Sequence, residues 1–220
     1  MQKSSCSHKT STMNKIYTLG KSIFAYLKRY GNNRPPLMFT CETESCNHRV
    51  MHKHGRYFRM AVTKHHHTKI PAYRWRCCIC TTTLTLLPDF LVPGKHFVTF
   101  VREASVKRKA QGEGFERVAK GVVSPSAGGI SPRTIKRWWN DHIHQASEVA
   151  HFIAGELIKS GVEEDLLCSH SHGVNPTRVD TVHWLARLIP RYVQVLGQCP
   201  SFRMGSFGFL NTQLFPHLRI

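Results

Sequence analysis

Two spacings of apolar residues divide the chain. Between residues 50 and 87 apolar and polar positions alternate, the pattern of strands with one face buried. The segments around Val50 and over residues 57–62, 72–75 and 81–87 read as strands. Elsewhere the apolar residues recur three and four apart, the spacing of a helix face. Ile16, Leu19, Ile23, Phe24 and Leu27 predict a helix over residues 14–30, ended by Gly31. A second helix is predicted over residues 97–109, with Phe97, Phe100, Val101 and Ala104 inward and Arg102, Lys107, Arg108 and Lys109 outward. Gly112 and Gly114 break it. Phe115, Val118, Ala119 and Val122 then line a short helix over 115–123. Ser131 is a good N-cap and Pro132 suits the first helical position, so a long helix opens there. Its apolar stripe is Ile135, Trp138, Trp139, Ile143 and Ala146. Helical pattern continues over 154–167. It returns over 178–196, where Val182, Leu185, Ile189, Val193 and Leu196 share a face and Pro190 predicts a kink.

The strand region is bracketed by cysteines. Cys41 and Cys46 form one close pair, and Cys77 and Cys80 form a C-x2-C pair. The tight C-x2-C turn brings two sulfurs within reach of a single ion. Four thiolates converging on Zn²⁺ satisfy its tetrahedral preference and close the site to water. The segment between the pairs reads as a hairpin with this metal knuckle at its base. Cys78 is read as a spare on the turn. His48, His52 and His54 are alternative ligands, with solvent exposure the competing reading. His65, His66 and His67 fall where the hairpin turns and read as a surface run. Tyr57, Phe58, Tyr73 and Trp75 supply bulk for a small core, or surfaces on which bases stack.

Charge bears on partners. The 220 residues hold 31 Lys and Arg against 13 Asp and Glu, a net charge of +18. Such a chain repels itself unless it meets a polyanion, and nucleic acid is the usual one. An anionic membrane surface competes, but no apolar run is long enough to span a bilayer. The N-terminus lacks the apolar core of a signal peptide. Cys6, Cys168 and Cys199 show no secreted disulfide pattern, so an intracellular, reducing compartment is expected. Cys168, His170 and His172 form a second His/Cys cluster, read as a polar loop.

The expected organisation is α+β. A basic N-terminal arm with a short helix (1–36) precedes a small zinc-ribbon β-hairpin domain (37–92). A helix-turn-helix-like helical domain (93–150) and a C-terminal helical region with a loose tail (151–220) follow. The Asn-Asn-Arg-Pro-Pro run marks one linker, and Pro88 and Pro93 frame a turn out of the ribbon. In the helix-turn-helix reading, the helix opening at Ser131 enters the major groove. Arg133, Thr134, Lys136 and Arg137 on its first turns contact double-stranded DNA, and Lys107, Arg108 and Lys109 neutralise phosphates. The loop between its two helices exceeds the usual three or four residues.

The stretches RWRCCICTTTLTLLPDFLVPGKHF and HKHGRYFR resemble an uncharacterised family of bacterial, mobile-element-associated proteins. Those carry a zinc ribbon with His-Gly after the first knuckle, a C-x2-C, a Leu-Pro-Asp-Phe-Leu segment and a helix-turn-helix. The ribbon is also similar to the N-terminal zinc domain of some insertion-sequence transposases. The resemblance is strongest from Cys41 to Phe97 and extends loosely to Ala146. It implies metal ligation by Cys41, Cys46, Cys77 and Cys80, although the first knuckle here is longer than the family's C-x2-C. It also implies transposon-related DNA binding, by an accessory factor, a transposase fragment or a regulator. No enzyme is expected. After the basic helix only Glu148, Glu156, Glu163, Glu164, Asp165 and Asp180 could hold catalytic Mg²⁺, and no strand pattern presents them together. The alternative is a zinc-stabilised module that binds protein or RNA, with a homodimer formed through the C-terminal helix.

Overall fold

A computed structural model describes residues 12–19, 22–43, 46, 49–162 and 177–196, with 178, 193 and 196 as backbone only. It is a mixed α/β structure, a four-stranded sheet followed by a helical layer. The elements are β1 (Thr12–Tyr17), α1 (Ile23–Tyr30), β2 (His52–Val62), β3 (His67–Arg76), β4 (Thr83–Pro88), α2 (Thr99–Ala110), α3 (Phe115–Val122), α4 (Pro132–Lys159) and α5 (Arg178–Leu196). Strand order is β1-β4-β3-β2. β2, β3 and β4 form an antiparallel meander, and β1 adds parallel to β4.

β1 corrects the sequence reading. Residues 12–17 form a strand where a helix was expected, in register from Thr12 opposite Thr83 to Tyr17 opposite Pro88. Ile16, Leu19 and Ile23 fit a helical stripe, but in the fold pairing with β4 decides the backbone. The helix starts only at Ile23, where the Ser22 hydroxyl accepts the N–H of Ala25 at 3.1 Å. Phe24, expected on the inward face, is exposed. Tyr26 and Tyr30 carry the packing instead. The Tyr26 hydroxyl donates to the Pro71 carbonyl at 2.7 Å, and that of Tyr73 donates to the Tyr30 carbonyl at 2.6 Å. These bonds fasten α1 to β3.

The Pro-flanked segment after β4 is also more than a turn. Phe90, Leu91 and Val92 are buried. The end of β2 clasps residues 96–98: the Val62 N–H donates to the His96 carbonyl at 2.9 Å, and the Val98 N–H donates back to the Val62 carbonyl at 3.1 Å. The Thr99 N–H donates to the Phe90 carbonyl at 2.9 Å, which sets the start of α2. Arg59 donates to the carbonyls of Val92 and Lys95. The helical layer is thus stitched to the sheet through backbone groups.

α2, α3 and α4 each contact the other two. Val118, Ala119 and Val122 of α3 and Ile135 and Trp138 of α4 join the apolar cluster of the sheet. Gly128 and Gly129, both at positive φ, close the loop before α4. A second cluster forms where the later turns of α4 meet α5, around Ile153, Leu157, Leu185 and Ile189. The described part of the α5 stripe (Val182, Leu185 and Ile189) is therefore spent within the chain. The helix runs through Pro190, which is exposed. Arg102, expected outward on α2, is buried. Among the described residues no helix is long and apolar enough to cross a membrane. The N-terminal arm before residue 12, Glu163, Glu164 and Asp165, the loop with Cys168, His170 and His172, and the tail from residue 197 lie outside the described residues, as do Cys6 and Cys199.

Asp89 is wholly buried behind β4. Burial pushes its carboxyl up to about 7, against hydrogen bonds from the Thr18 hydroxyl and from the backbone of Phe90 and Asp89. The folded value lies above the unfolded one, so the fold favours the protonated acid. This contribution is complete below the unfolded value and is lost as pH rises through about 7. Between about pH 5.5 and 8.5 it falls by on the order of 2 kcal/mol. Thermal midpoints measured across this range are expected to drop with rising pH in the wild type and to drop less in Asp89→Asn. Equal slopes would show that Asp89 does not titrate this way.

Candidate metal centre

Both cysteine pairs lie at the open end of the β2–β3 hairpin, one before β2 and one after β3. Ahead of β2, Thr40 and Val50 form an antiparallel bridge. The Met51 N–H donates to the Phe39 carbonyl and the Cys41 N–H to that of Arg49. Inside this closure the Cys46 N–H bonds the Thr43 carbonyl, and the Arg49 N–H bonds that of Cys46, so the loop turns both sulfurs inward. After β3 the chain turns at residues 78–80, and the Cys77 N–H donates to the Thr82 carbonyl at 3.0 Å. Thr81 closes the turn at a φ of 61°. A β-branched residue strains there, at a cost of roughly 1–3 kcal/mol, and such strain persists where its surroundings over-determine the backbone.

The sulfurs of Cys41, Cys46, Cys77 and Cys80 all lie within 4.8 Å of one another. Cys41 Sγ and Cys80 Sγ are 3.5 Å apart, and Cys46 Sγ and Cys77 Sγ are 3.7 Å apart. Sulfurs at the corners of a tetrahedron, each about 2.3 Å from zinc, stand about 3.8 Å from one another. A disulfide would need about 2.05 Å. These two separations are close to the edges of such a tetrahedron, and the four cysteines are not bonded to one another. Cys41, Cys46 and Cys77 are buried in the cluster that contains Phe39, Met51 and Trp75. The Thr82 hydroxyl, 3.1 Å from Cys80 Sγ, is the main influence holding that thiol down at about 5, with smaller help from Cys46 and Cys41. A group of this kind is readily the thiolate that a metal requires. The four residues thus form a possible metal site whose donor set suits structural zinc.

The described alternatives fall away on position. Cys78 is exposed on the turn, as a spare should be. His52 and His54 are exposed on β2 and stand apart from the sulfur cluster. His48 lies outside the described residues. His65, His66 and His67 are exposed at the hairpin turn. Thr82 and the strained Thr81 escaped the sequence reading. The one trace of them was the Thr-Thr-Thr run directly after Cys80.

The basic residues separate into two groups. On α2, Lys107 donates to Glu103 at 2.5 Å, and Arg108 makes a two-pronged pair with Glu113. Lys109 sits over the Phe115 ring at 4.9 Å. All three have partners within the chain. On α4, Ser131 caps the helix through the Thr134 N–H, and its hydroxyl also bonds that of Thr134 at 2.9 Å. Arg133, Lys136 and Arg137 are exposed on the next turns. Among the described residues none of the three forms an ion pair or hydrogen bond. Of the strand aromatics, Tyr73 and Trp75 are core residues. Tyr57 and Phe58 are exposed, each with an arginine over its ring, Arg74 and Arg56 respectively.

Residues 43–138 are similar to a family described as a domain of unknown function (DUF6431). The matched stretch takes in Cys46, Cys77, Cys80, α2, α3 and the first turns of α4, and begins just after Cys41. No curated protein and no solved structure matches the chain.

If the sulfur cluster holds zinc, elemental analysis of purified protein will give one zinc per chain. Cys41→Ser and Cys77→Ser will each lose most of it and melt earlier, because the free energy of binding the metal is part of the free energy of folding. Cys78→Ser will keep both metal and midpoint. Full folding after exhaustive chelation would refute a structural role.

Proposed function

We propose that this protein is a zinc-stabilised DNA-binding protein, of the accessory or regulatory kind associated with mobile elements. The observation that carries the proposal is the trio Arg133, Lys136 and Arg137 at the start of α4. Spaced three and four apart, they share one helix face. They stand at the positive end of the helix dipole, where cations are destabilising, and the first turn contains no acid to offset them. An exposed cluster of this kind is stabilised by an anion brought from outside, and the phosphate backbone of a duplex supplies a row of them.

Three further features support the reading. The first turns of α4 bury Ile135 and Trp138 against the core and leave Arg133, Lys136 and Arg137 exposed, as a helix presenting one face to a major groove requires. The net charge of +18 favours a polyanion. The likeness to mobile-element zinc-ribbon proteins points to the same setting. Zinc would fold the knuckles, and the sheet would carry the helical layer. Lys107, Arg108 and Lys109 contribute less than the α4 trio, because their charges are already engaged.

The protein is proposed as a binder without a reaction of its own. Asp180, one carboxylate that a strand-transfer enzyme could have used, caps α5 in the structure. Its carboxylate accepts from the N–H of Thr177 at 2.8 Å and from the Thr177 hydroxyl, whose oxygen accepts the Asp180 N–H in return.

Fluorescence anisotropy on labelled duplexes tests the proposal. Affinity is expected to fall steeply with salt. Arg133→Ala and Arg137→Ala should each weaken binding roughly tenfold and, where a phosphate contact is removed, lower the salt slope by about 0.9. Lys107→Ala should change it little. A flat salt response, or unchanged binding in the α4 variants, would remove the reading.

A further inference from the structure

A cavity of about 420 Å³ opens between the sheet and the helical layer. Asn14 of β1, residues 92–95 of the loop after β4, Arg102 of α2 and Asp141 and Gln145 of α4 line it. Arg102 is only 6% exposed. Its Nε is buried with no hydrogen-bond partner, and among the described residues its guanidinium makes no ion pair. Its guanidinium carbon lies over the Trp138 ring, 5.6 Å from the centroid. That contact holds the group in place but satisfies none of its N–H donors.

A buried charge without hydrogen bonds costs several kcal/mol, so such groups are normally paired or bound to a ligand. A guanidinium presents its donors as a rigid fork that fits a planar or tetrahedral oxyanion. Lys95 adds a second cation to the lining, and Asn14 and Gln145 add amide donors. Asp141 is the lone acid on the wall, so the cavity keeps a net positive charge. Its size lies in the usual range of small-ligand sites, about 300–1,000 Å³.

We propose that this cavity binds a phosphate group, with Arg102 as the buried anchor and Lys95, Asn14 and Gln145 completing the donor set. A carboxylate would leave several of these donors unused, whereas the oxygens of a phosphate can engage Arg102, Lys95 and an amide together. Asp141 tempers the affinity and makes the site reversible. The proposal stands apart from the DNA reading, because the residues that carry it differ from Arg133, Lys136 and Arg137.

The test uses the full-length protein with inorganic phosphate as the probe, by calorimetry and by thermal shift, against chloride at equal ionic strength. Phosphate is expected to bind and to raise the midpoint, as any ligand selective for the folded state does, and chloride is not. Lys95→Gln should weaken binding roughly tenfold and Asp141→Asn should tighten it, as loss of an attractive and of a repulsive charge predicts. Arg102→Met should abolish it. Should Arg102→Met fail to fold, Lys95→Gln and Asp141→Asn decide the matter, since both lie at the cavity wall. No binding at millimolar phosphate, or binding indifferent to both wall variants, would overturn the proposal. A short duplex with a 5′-phosphate, compared with its 5′-hydroxyl twin, separates the sources. Stronger competition by the phosphorylated strand identifies a nucleic-acid terminus, and equal competition identifies free phosphate. Loss of DNA affinity in Arg133→Ala with phosphate binding intact would show that the two sites are independent.

Discussion

The convergence of four sulfurs is the constraint from which the sheet end takes its shape. Cys41 and Cys46 lie on a loop held, among the described residues, by a few backbone bonds and one bridge. Alone, such a loop buries too little to offset the entropy of ordering it. Cross-linking it to residues 77 and 80 through one ion would close a long stretch of chain. That restricts the unfolded ensemble most when the closed loop is long. The strained Thr81 agrees with this account. A positive φ at a β-branched residue is tolerated where neighbouring bonds hold it, and here Cys77 bonds Thr82 across it while the Thr82 hydroxyl bonds Cys80.

The charges are arranged with comparable economy. Formal net charge counts every cation alike, but only some of them are available. Lys107, Arg108 and Lys109 looked equivalent to the α4 trio, yet acids and an aromatic ring engage all three. Arg102 is withdrawn into the wall of the cavity between the sheet and the helices. Other exposed cations lie elsewhere on the described surface, but the first turns of α4 hold three together on one helix face, where the dipole makes cations costly. Position thus separates structural cations from the candidates for binding.

Much of this was legible in the sequence, and what was missed shares a cause. The cysteine spacing identified the four residues that the fold brings together, because a C-x2-C turn and its partner have few other uses. Ser131 followed by Pro132 marked the start of α4, because capping chemistry is local. The bounds of α5 matched for a similar reason: its stripe has one period and one plausible face. β1 was misread because Ile16 and Leu19 suit either period, and the pairing with β4 that settles the matter spans some seventy positions. Arg102 was placed outward on charge alone, since nothing near it in sequence announces the Trp138 ring or the cavity. The segment from Asp89 to Val92 looked like a turn out of the ribbon because prolines flank it, whereas its side chains are buried in the fold.

The knuckles and the helical layer are joined by a short route. β3 ends at Arg76 beside Cys77, and β4 begins at Thr83 just beyond Thr82. β4 pairs with β1 and β3 together, then leads into the buried segment whose carbonyls hold Arg59 and the start of α2. A loosened knuckle therefore weakens the register of β3 against β4. That in turn affects the loop residues that line the Arg102 cavity and the strand that carries Asn14. The first turns of α4 are further removed, because Ile135 and Trp138 reach the sheet only through side-chain packing. Physical continuity thus predicts a graded effect of metal loss, greatest at the cavity and least at the N-terminus of α4.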